Sequence, residues 1–238
     1  MYQEKIFVTS NDVDSHLETK LGAIFRFLQI ASTNHAELIG LGKKDTIDKG
    51  MFWVITRMKV IIHRMPRLNE TITVSTHPGD MIMFVFPRFY QIYSESGELL
   101  VSASASWVLL DNITHKLLTK PFGDNYHFSG EKDVRDISLP EKIALEEVSV
   151  VEERKVRFSD TDLNGHLNNT KYIDYIVDIH DSNFYKNYRF KSINISFEKE
   201  VMDNQIVKLS SNNNNPELVI GHVDGQQVFV ATVEYQKR

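Results

Sequence analysis

The sequence contains no cysteine. That one absence removes disulfides, thiolate nucleophiles and cysteine-based zinc sites together, and it fits a reducing compartment. Long apolar runs are missing too. Nothing approaches the roughly 18 consecutive apolar residues of a transmembrane helix, and the longest mainly apolar stretches, such as Met81–Phe86, are strand-sized. The start, MYQEKIFVTSNDVDSH, lacks the apolar core of a signal peptide. It is also too acidic for an organelle transit peptide. Positive charge is not in excess: 27 Lys and Arg against 32 Asp and Glu leave a net charge of −5. That balance disfavours a broad nucleic-acid-binding face. There is no Gly-x-Ser-x-Gly elbow and no phosphate-binding loop. Together these absences predict a cytoplasmic chain with neither membrane insertion nor a nucleic-acid partner.

What is present is an ordinary globular composition, 42% hydrophobic and 25% charged over 238 residues. The length allows one large domain or two of about 120 residues each. An internal repeat favours two halves. Asp12-Val13-Asp14-Ser15-His16-Leu17 resembles Asp162-Leu163-Asn164-Gly165-His166-Leu167 at an offset of 150 (162 − 12). The segment from Thr56 aligns without a gap with the segment from Lys191, at an offset of 135 (191 − 56). Its apolar positions coincide, as in Met58/Ile193, Val60/Ile195 and Ile62/Phe197. Gly97–Trp107 aligns with Gly225–Tyr235 at an offset of 128 (225 − 97). Three blocks in one order, with offsets that shrink along the chain, point to a duplication.

Each half reads alike. A short strand (Lys5–Thr9; Arg154–Phe158) enters the Asp…His turn, and a helix follows. Leu21, Ile24, Phe25, Leu28 and Ala31 recur at helical spacing, as do Tyr172, Ile173, Ile176 and Ile179. Long strands with period-two alternation come next, with Met58, Val60 and Ile62 on one face and Arg57, Lys59 and His63 on the other. Pro66, Asn69, Asp203 and Asn204 mark turns, and Gly97 and Asp224-Gly225 mark hairpins. The spacing therefore predicts an α+β chain in which each half is a helix on a mostly antiparallel sheet. Pro121–Glu147 has no repeat counterpart and reads as the connection. The expected division is residues 1–130 as a first half, 131–147 as a linker and 148–238 as a second half.

The stretch from Val156 to Tyr172 contains Asp162-x-Asn164-x-His166-x-Asn168-Asn169-x-x-Tyr172. This core, with Phe52–Val60 in the first half, resembles the acyl-acyl carrier protein thioesterases. The resemblance covers nearly the whole chain. It implies a tandem (double) hotdog, with two long helices each packed on an antiparallel sheet. It also implies hydrolysis of acyl-acyl carrier protein thioesters to free fatty acids, with acyl carrier protein as partner and no metal or organic cofactor. The lack of a transit segment suggests the bacterial branch. The family's functional residues carry over as Asp162, Asn164 and His166, plus a carboxylate after the following strand, which is Glu200 in Ile195–Val201. Some members have a cysteine beside that carboxylate. Here the position is Val201, so a thiol mechanism is excluded. Two other readings stay open: an acyl-CoA thioesterase of the hotdog superfamily, and a non-catalytic acyl-binding hotdog protein.

Thioester hydrolysis needs a nucleophile, a donor for the developing oxyanion and an apolar slot. Without cysteine, the nucleophile is most simply water or a carboxylate. Glu200 and His166 are expected to orient and deprotonate water, Asp162 to hold the motif loop or to act on the water itself, and Asn164 to donate an amide hydrogen; whether Glu200 or Asp162 is base or nucleophile stays open at this point. Backbone N–H groups of Gly165–Asn168, at a helix start, are expected to face the thioester oxygen. A helix start is equally where Asp and Asn cap free N–H groups. The other histidines are scattered, and their spacing supports no metal site. Phe25, Leu28, Met58, Met81, Met83 and Phe84 are candidates for lining the acyl slot. Carrier protein is acidic, so Arg57, Lys59, Arg64 and Arg67, or Arg154, Lys155 and Arg157, could dock it. The chain could be a monomer, because duplication supplies two sheets, or a homodimer.

The halves differ at the site. Offset 150 makes Asp12, Asp14 and His16 the counterparts of Asp162, Asn164 and His166. Offset 135 places Met65 opposite Glu200. The first half is therefore expected to bind the acyl chain and the second to be catalytic.

Overall fold

The computed structural model describes residues 1–119, 121–122 and 136–238. They form two units, Met1–Thr19 with Arg26–Pro140, and Lys20–Phe25 with Glu141–Arg238.

In the first unit, strand β1 (Tyr2–Phe7) leads through the Asp12–His16 turn into helix α1 (Leu21–Leu38). Four strands follow: β2 (Met51–Ile62), β3 (Thr71–Pro78), β4 (Phe86–Ser94) and β5 (Leu99–Asp111). They pair antiparallel in the order β1-β3-β4-β5-β2. Leu21, Ile24, Phe25, Leu28 and Ala31 are all buried, as their helical spacing requires. Helix α1 meets the sheet where Ser32 Oγ and the Tyr90 hydroxyl share a 2.7 Å hydrogen bond. Met58, Val60 and Ile62 are buried on one face of β2. A bulge between Ile55 and Arg57 shifts the alternation, so Ile55 is buried along with Met58.

The second unit repeats the plan. Strand β6 (Ser149–Lys155) enters the motif turn, then come α2 (Asn169–Val177) and α3 (Ser182–Asn187). The strands β7 (Tyr188–Phe197), β8 (Ile206–Ser211), β9 (Glu217–Val223) and β10 (Gln226–Lys237) complete it. The sheet order is β6-β8-β9-β10-β7, antiparallel throughout and the same as in the first unit once β6 stands for β1. Tyr172 of α2 rests edge-on against Phe197 of β7 and Phe229 of β10. Two helices on two antiparallel sheets bear out the expected architecture.

The backbone tests the repeat directly. Leu100 O accepts from the N–H groups of His63 and Arg64, while Val228 O accepts from those of Glu198 and Lys199. Those pairs reproduce the offsets of 128 (228 − 100) and 135 (198 − 63). Asn69 and Asn204, also 135 apart, both take the left-handed conformation, with φ 65° and 67°.

Three expectations change in detail. Both entry strands end earlier than expected, at Phe7 and Lys155, because Asp12 and Asp160 accept the N–H groups of Thr9 and Arg157 and turn the chain. The second helix is not one long rod: α2 has 9 residues and α3 has 6. Asp181 caps α3 by accepting from Asn183 N and Phe184 N, and His180 stacks on Phe184 at 3.9 Å. His180 Nε2 also lies 2.8 Å from Glu217 Oε2, which anchors the break to β9. Lastly, the described parts of the connection are packed. Asp136 accepts from Gln91 and Ser102 in the first unit, and Ile143 is buried with Leu218, Ile220 and Val230 in the second. Gly123 and Gly130 of that region lie outside the described residues.

Gly22, at the start of α1, sits against α2. A Cβ there would lie 2.4 Å from Asp174 Oδ1. Among the described residues, no helix is long and apolar enough to cross a membrane.

Leu28 is fully buried on the first unit's helix. Leu28→Ala should lower unfolding stability by about 2–5 kcal/mol, the range for emptying such a site. Urea unfolding with an unchanged slope would show it. A loss well under that range would mean that Leu28 faces a slot rather than packed core.

Candidate active site

The motif turn is built by Asp162. Its Oδ1 accepts from Asn164 N at 2.8 Å and from His166 N at 3.2 Å. Asp162 N donates to His166 O, and Gly165 N to Asp162 O. Gly165 has φ +79°, a left-handed conformation that glycine adopts without a Cβ clash. The turn is then clasped to the segment after β7: Leu167 N donates to Val201 O at 2.7 Å, and His166 bridges Met202. Because Glu200 precedes Val201, the clasp brings the two ionisable side chains together. His166 Nε2 lies 3.4 Å from Glu200 Oε2. Their side chains are 17% and 36% exposed, so the pair sits at a half-open edge.

Asn168 is the cap of α2, with Oδ1 accepting from Thr170 N at 2.9 Å. Thus the capping role falls to Asn168, while Asp162 shapes the turn. Asn164 stands exposed at the tip of the same turn, beside Leu163, which is 84% exposed. The sequence reading treated Tyr172 as an apolar helix position and part of the motif. In the structure it is 3% exposed, and burial, with the charges of Asp162 and Glu200, pushes its phenol well above the usual range. A protonated hydroxyl therefore sits close to both carboxylates. Its period-matched place on a buried helix face concealed this.

One expectation fails. The N–H groups of Gly165, His166, Leu167 and Asn168 all have acceptors within the protein: Asp162 O, Asp162 Oδ1, Val201 O and Asp160 O. They cannot face a substrate oxygen while the turn holds this shape. The donors left at the helix start are the Asn169 N–H and the side-chain amide of Asn164.

The first unit carries the same turn two residues out of the expected register. Asp14 Oδ1 accepts from His16 N and Glu18 N, and Asp14 N donates to Glu18 O. Leu17 is left-handed, with φ 60°. Thr19 N donates to Pro66 O, and Glu18 bridges Arg67. Asp14 is therefore the counterpart of Asp162, at an offset of 148 (162 − 14), and His16 is the counterpart of Asn164. Glu18 takes the place of His166. Likewise Arg67 takes the place of Met202, while Met65 stands opposite Glu200 as expected. Side-chain identity misled the alignment, because His16-Leu17 matches His166-Leu167 only if the hydrogen bonds are ignored. The first half holds a Glu18–Arg67 contact at 3.6 Å where the second holds His166–Glu200.

The remaining candidates divide. Phe25, Leu28 and Met58 are buried, whereas Met83 is 78% exposed and does not line an interior. Arg64 is clamped between Glu70 and Glu98, and Arg154 between Glu152 and Asp178. These partners offset much of the positive charge expected to dock an acidic protein. Lys155 and Arg157 are exposed. Among the described residues, no group of three or more His, Asp or Glu side chains is placed to hold a metal ion. His127 lies outside them.

Comparison with known proteins agrees with this architecture. The profile of the acyl-ACP thioesterase N-terminal domain matches residues 1–120, and that of the C-terminal domain matches residues 143–237. The chain is 22% identical over 224 residues to a chloroplastic palmitoyl-acyl carrier protein thioesterase of Arabidopsis thaliana, covering 84% of this chain and 52% of that one. It is 23% identical to a chloroplastic dodecanoyl-[acyl-carrier-protein] hydrolase of Cinnamomum camphora, covering 100% of this chain and 68% of that one. The chain thus spans about half the length of the first of these curated relatives. Among solved structures, an acyl-ACP thioesterase from Bacteroides thetaiotaomicron superposes with a TM-score of 0.89 at 19% identity, over 98% of this chain and 97% of that one. The 12:0-ACP thioesterase of Umbellularia californica gives 0.84 at 20% identity, over 100% and 97%. At these identities the superpositions show the shared fold.

The revised register is testable by stability. Nothing lies within 4 Å of a Cβ placed on Gly165, so Gly165→Ala should cost about 1 kcal/mol through backbone strain alone. Leu17→Gly, at the matching left-handed position, should gain about 0.5–1 kcal/mol. If denaturant unfolding shows Leu17→Gly to be destabilising by a similar amount, the pairing of Leu17 with Gly165 is wrong.

Proposed function

The chain belongs to the acyl-ACP thioesterase family, and on that footing we propose that it hydrolyses fatty acyl thioesters of acyl carrier protein, ending chain elongation. The observation that supports this reading most is the His166–Glu200 pair at 3.4 Å, in a chain with no thiol nucleophile. Glu200, with His166 beside it, takes a proton from a water molecule. The water oxygen bonds to the thioester carbonyl carbon, and the carbonyl oxygen becomes an oxyanion. The Asn164 amide and the Asn169 N–H at the start of α2 are the donors available to it. Collapse breaks the carbon–sulfur bond, and the proton held at the pair passes to the departing thiolate. A free fatty acid and the carrier thiol result. Asp162 does not take part in proton transfer in this reading: its Oδ1 is engaged by two N–H groups of the turn and sets where His166 stands.

In this reading, residues 148–238 are the catalytic half and residues 1–130 the acyl-binding half. The first half's clasp supports that division, because it carries Glu18 and Met65 where the second half carries His166 and Glu200. Lys155 and Arg157, exposed at the mouth of the motif turn, are the cations best placed to meet an acidic carrier.

Glu200→Gln and His166→Ala should each lower turnover at least ~100-fold, the scale of losing a general base or its orienting partner. His16→Ala should leave turnover within about twofold. Thiol release from acyl carrier protein and CoA thioesters of several chain lengths, measured at equal folded concentration, tests all of these. Near-normal turnover in both second-half variants would remove the pair from the mechanism. Faster turnover of CoA thioesters would reassign the substrate.

A further inference from the structure

The motif turn carries two large apolar side chains that the fold does not use. Phe158 is 85% exposed and Leu163 is 84% exposed. The first unit shows what the same backbone needs at these positions. Asp12 and Asp160 accept the N–H groups of Thr9 and Arg157, a match at the revised offset of 148 (160 − 12; 157 − 9). At that offset Ser10 stands for Phe158 and Ser15 for Leu163 (158 − 10; 163 − 15). Both serines are exposed as well. The turn therefore forms equally with polar side chains, and the apolar ones occur on the copy that holds His166 and Glu200. Facing water, they add nothing to the core, so packing gives no reason for them.

The backbone sets more of the same kind beside them. His166 bridges Met202, Val156 N donates to Gln205 O, and Lys155 stands opposite Ile206. Met202 and Ile206 are exposed, as are Lys155 and Arg157. The carboxylates of the motif turn are engaged by the turn and its helix. Asp160 Oδ2 accepts from Arg157 N and the Tyr175 hydroxyl, and Asp162 Oδ1 from Asn164 N and His166 N. Asp203, on the neighbouring turn, is exposed and accepts from Asn204. One exposed apolar group is ordinary, but a set with flanking cations around a reactive pair marks a face that a macromolecule covers.

Carrier and CoA thioesters share the pantetheine arm and differ in what lies beyond its phosphate, a folded acidic protein in one and a nucleotide in the other. Lys155 and Arg157 attract either, since CoA carries phosphates too. Apolar side chains distinguish them, because their burial needs a partner large enough to cover them. We propose that Phe158 and Leu163 determine substrate specificity by packing against the body of acyl carrier protein, which favours its thioesters over those of CoA. The assignment rests on the proposed hydrolysis. It sets the carrier over the turn whose tip is Asn164, beside the His166–Glu200 pair that its arm must reach.

The full-length chain and its Phe158→Ser, Leu163→Ser and doubly substituted forms are given dodecanoyl thioesters of acyl carrier protein and of CoA. Serine is what the first turn carries at both positions, so folding should survive, and circular dichroism checks it. In the double form the ratio of kcat/KM on the carrier thioester to that on the CoA thioester should fall at least ~10-fold, the scale of losing one interface hot spot. The fall should sit in KM for the carrier thioester, because Phe158 and Leu163 touch no reacting atom. A ratio that holds, with both substrates affected alike or neither, would overturn the proposal. So would a loss confined to kcat. Binding of fluorescently labelled holo-carrier protein with a free thiol, read by anisotropy, should weaken at least ~10-fold in the double form. Hydrolysis of neither thioester would sink the proposed function, and this Kd would then decide alone, weaker binding upholding the surface and unchanged binding removing it. Loss of sedimentation with phosphatidylglycerol vesicles in the double form, with the carrier Kd unchanged, would assign the face to a lipid surface and overturn the proposal.

Discussion

Two backbone hydrogen bonds carry the site: Leu167 N to Val201 O, and Asp162 N to His166 O. The first ties the turn before a helix to the chain leaving a strand. The second closes the turn so that the tie has one register. Without them, His166 and Glu200 are 34 positions apart in sequence (200 − 166) on two flexible segments, and no side-chain attraction at a half-exposed edge would hold them. With them, backbone geometry sets the approach and the side chains need only be of the right kind. The carboxylate of Asp162 belongs to the same device. Its Oδ1 accepts from two N–H groups of its own turn, which gives that turn its shape.

The first unit keeps that clasp and changes the side chains on it. Thr19 N to Pro66 O reproduces the tie, and Asp14 reproduces the turn. At two positions, however, Glu18 and Met65 stand where His166 and Glu200 stand in the other unit. Glu18 is 7% exposed and lies 3.6 Å from Arg67. The clasp is thus a requirement of the fold, since it seats each helix on its sheet. The His166–Glu200 pair is found on one copy of it. The interiors diverge as well. The second unit places Tyr172 against Phe197 and Phe229. The first places Arg88, His35, Thr76, Tyr90 and Ser32 between helix and sheet.

Surface charge follows a different rule. Sequence clusters of Arg and Lys suggested docking patches, yet Arg64 and Arg154 are each held by two carboxylates. Arg64 is held so firmly by Glu70 and Glu98 that its charged form is further favoured, and Glu70 is pulled below the usual carboxylate range by the same contact. Those acids lie up to 34 residues away in sequence (98 − 64), so a linear count of basic residues overstates the field that a partner meets.

The sequence alone determined the class of fold and the duplication, and it singled out His166 and Glu200, which the fold brings to 3.4 Å. Helical spacing in Leu21–Ala31, alternation in Met58–Ile62 and the gapless offset of 135 are local properties, and apolar periodicity imposes them before any tertiary contact forms. The offset of 135 also placed Met65 opposite Glu200, because each lies three residues past the end of its strand (65 − 62; 200 − 197). Tertiary structure decided the rest. The register of the first turn is 148 rather than 150, since hydrogen bonds follow the backbone and tolerate Leu17 in a left-handed position that a sequence comparison assigns to Gly165. The N–H groups of Gly165–Asn168 are taken by acceptors from Asp160, Asp162 and Val201, which only the folded clasp brings near. The break of the second helix depends on Glu217, a strand residue that reaches His180 only after β9 is in place. In each case a group's role was settled by a partner distant in sequence, and periodicity carries no information about such partners.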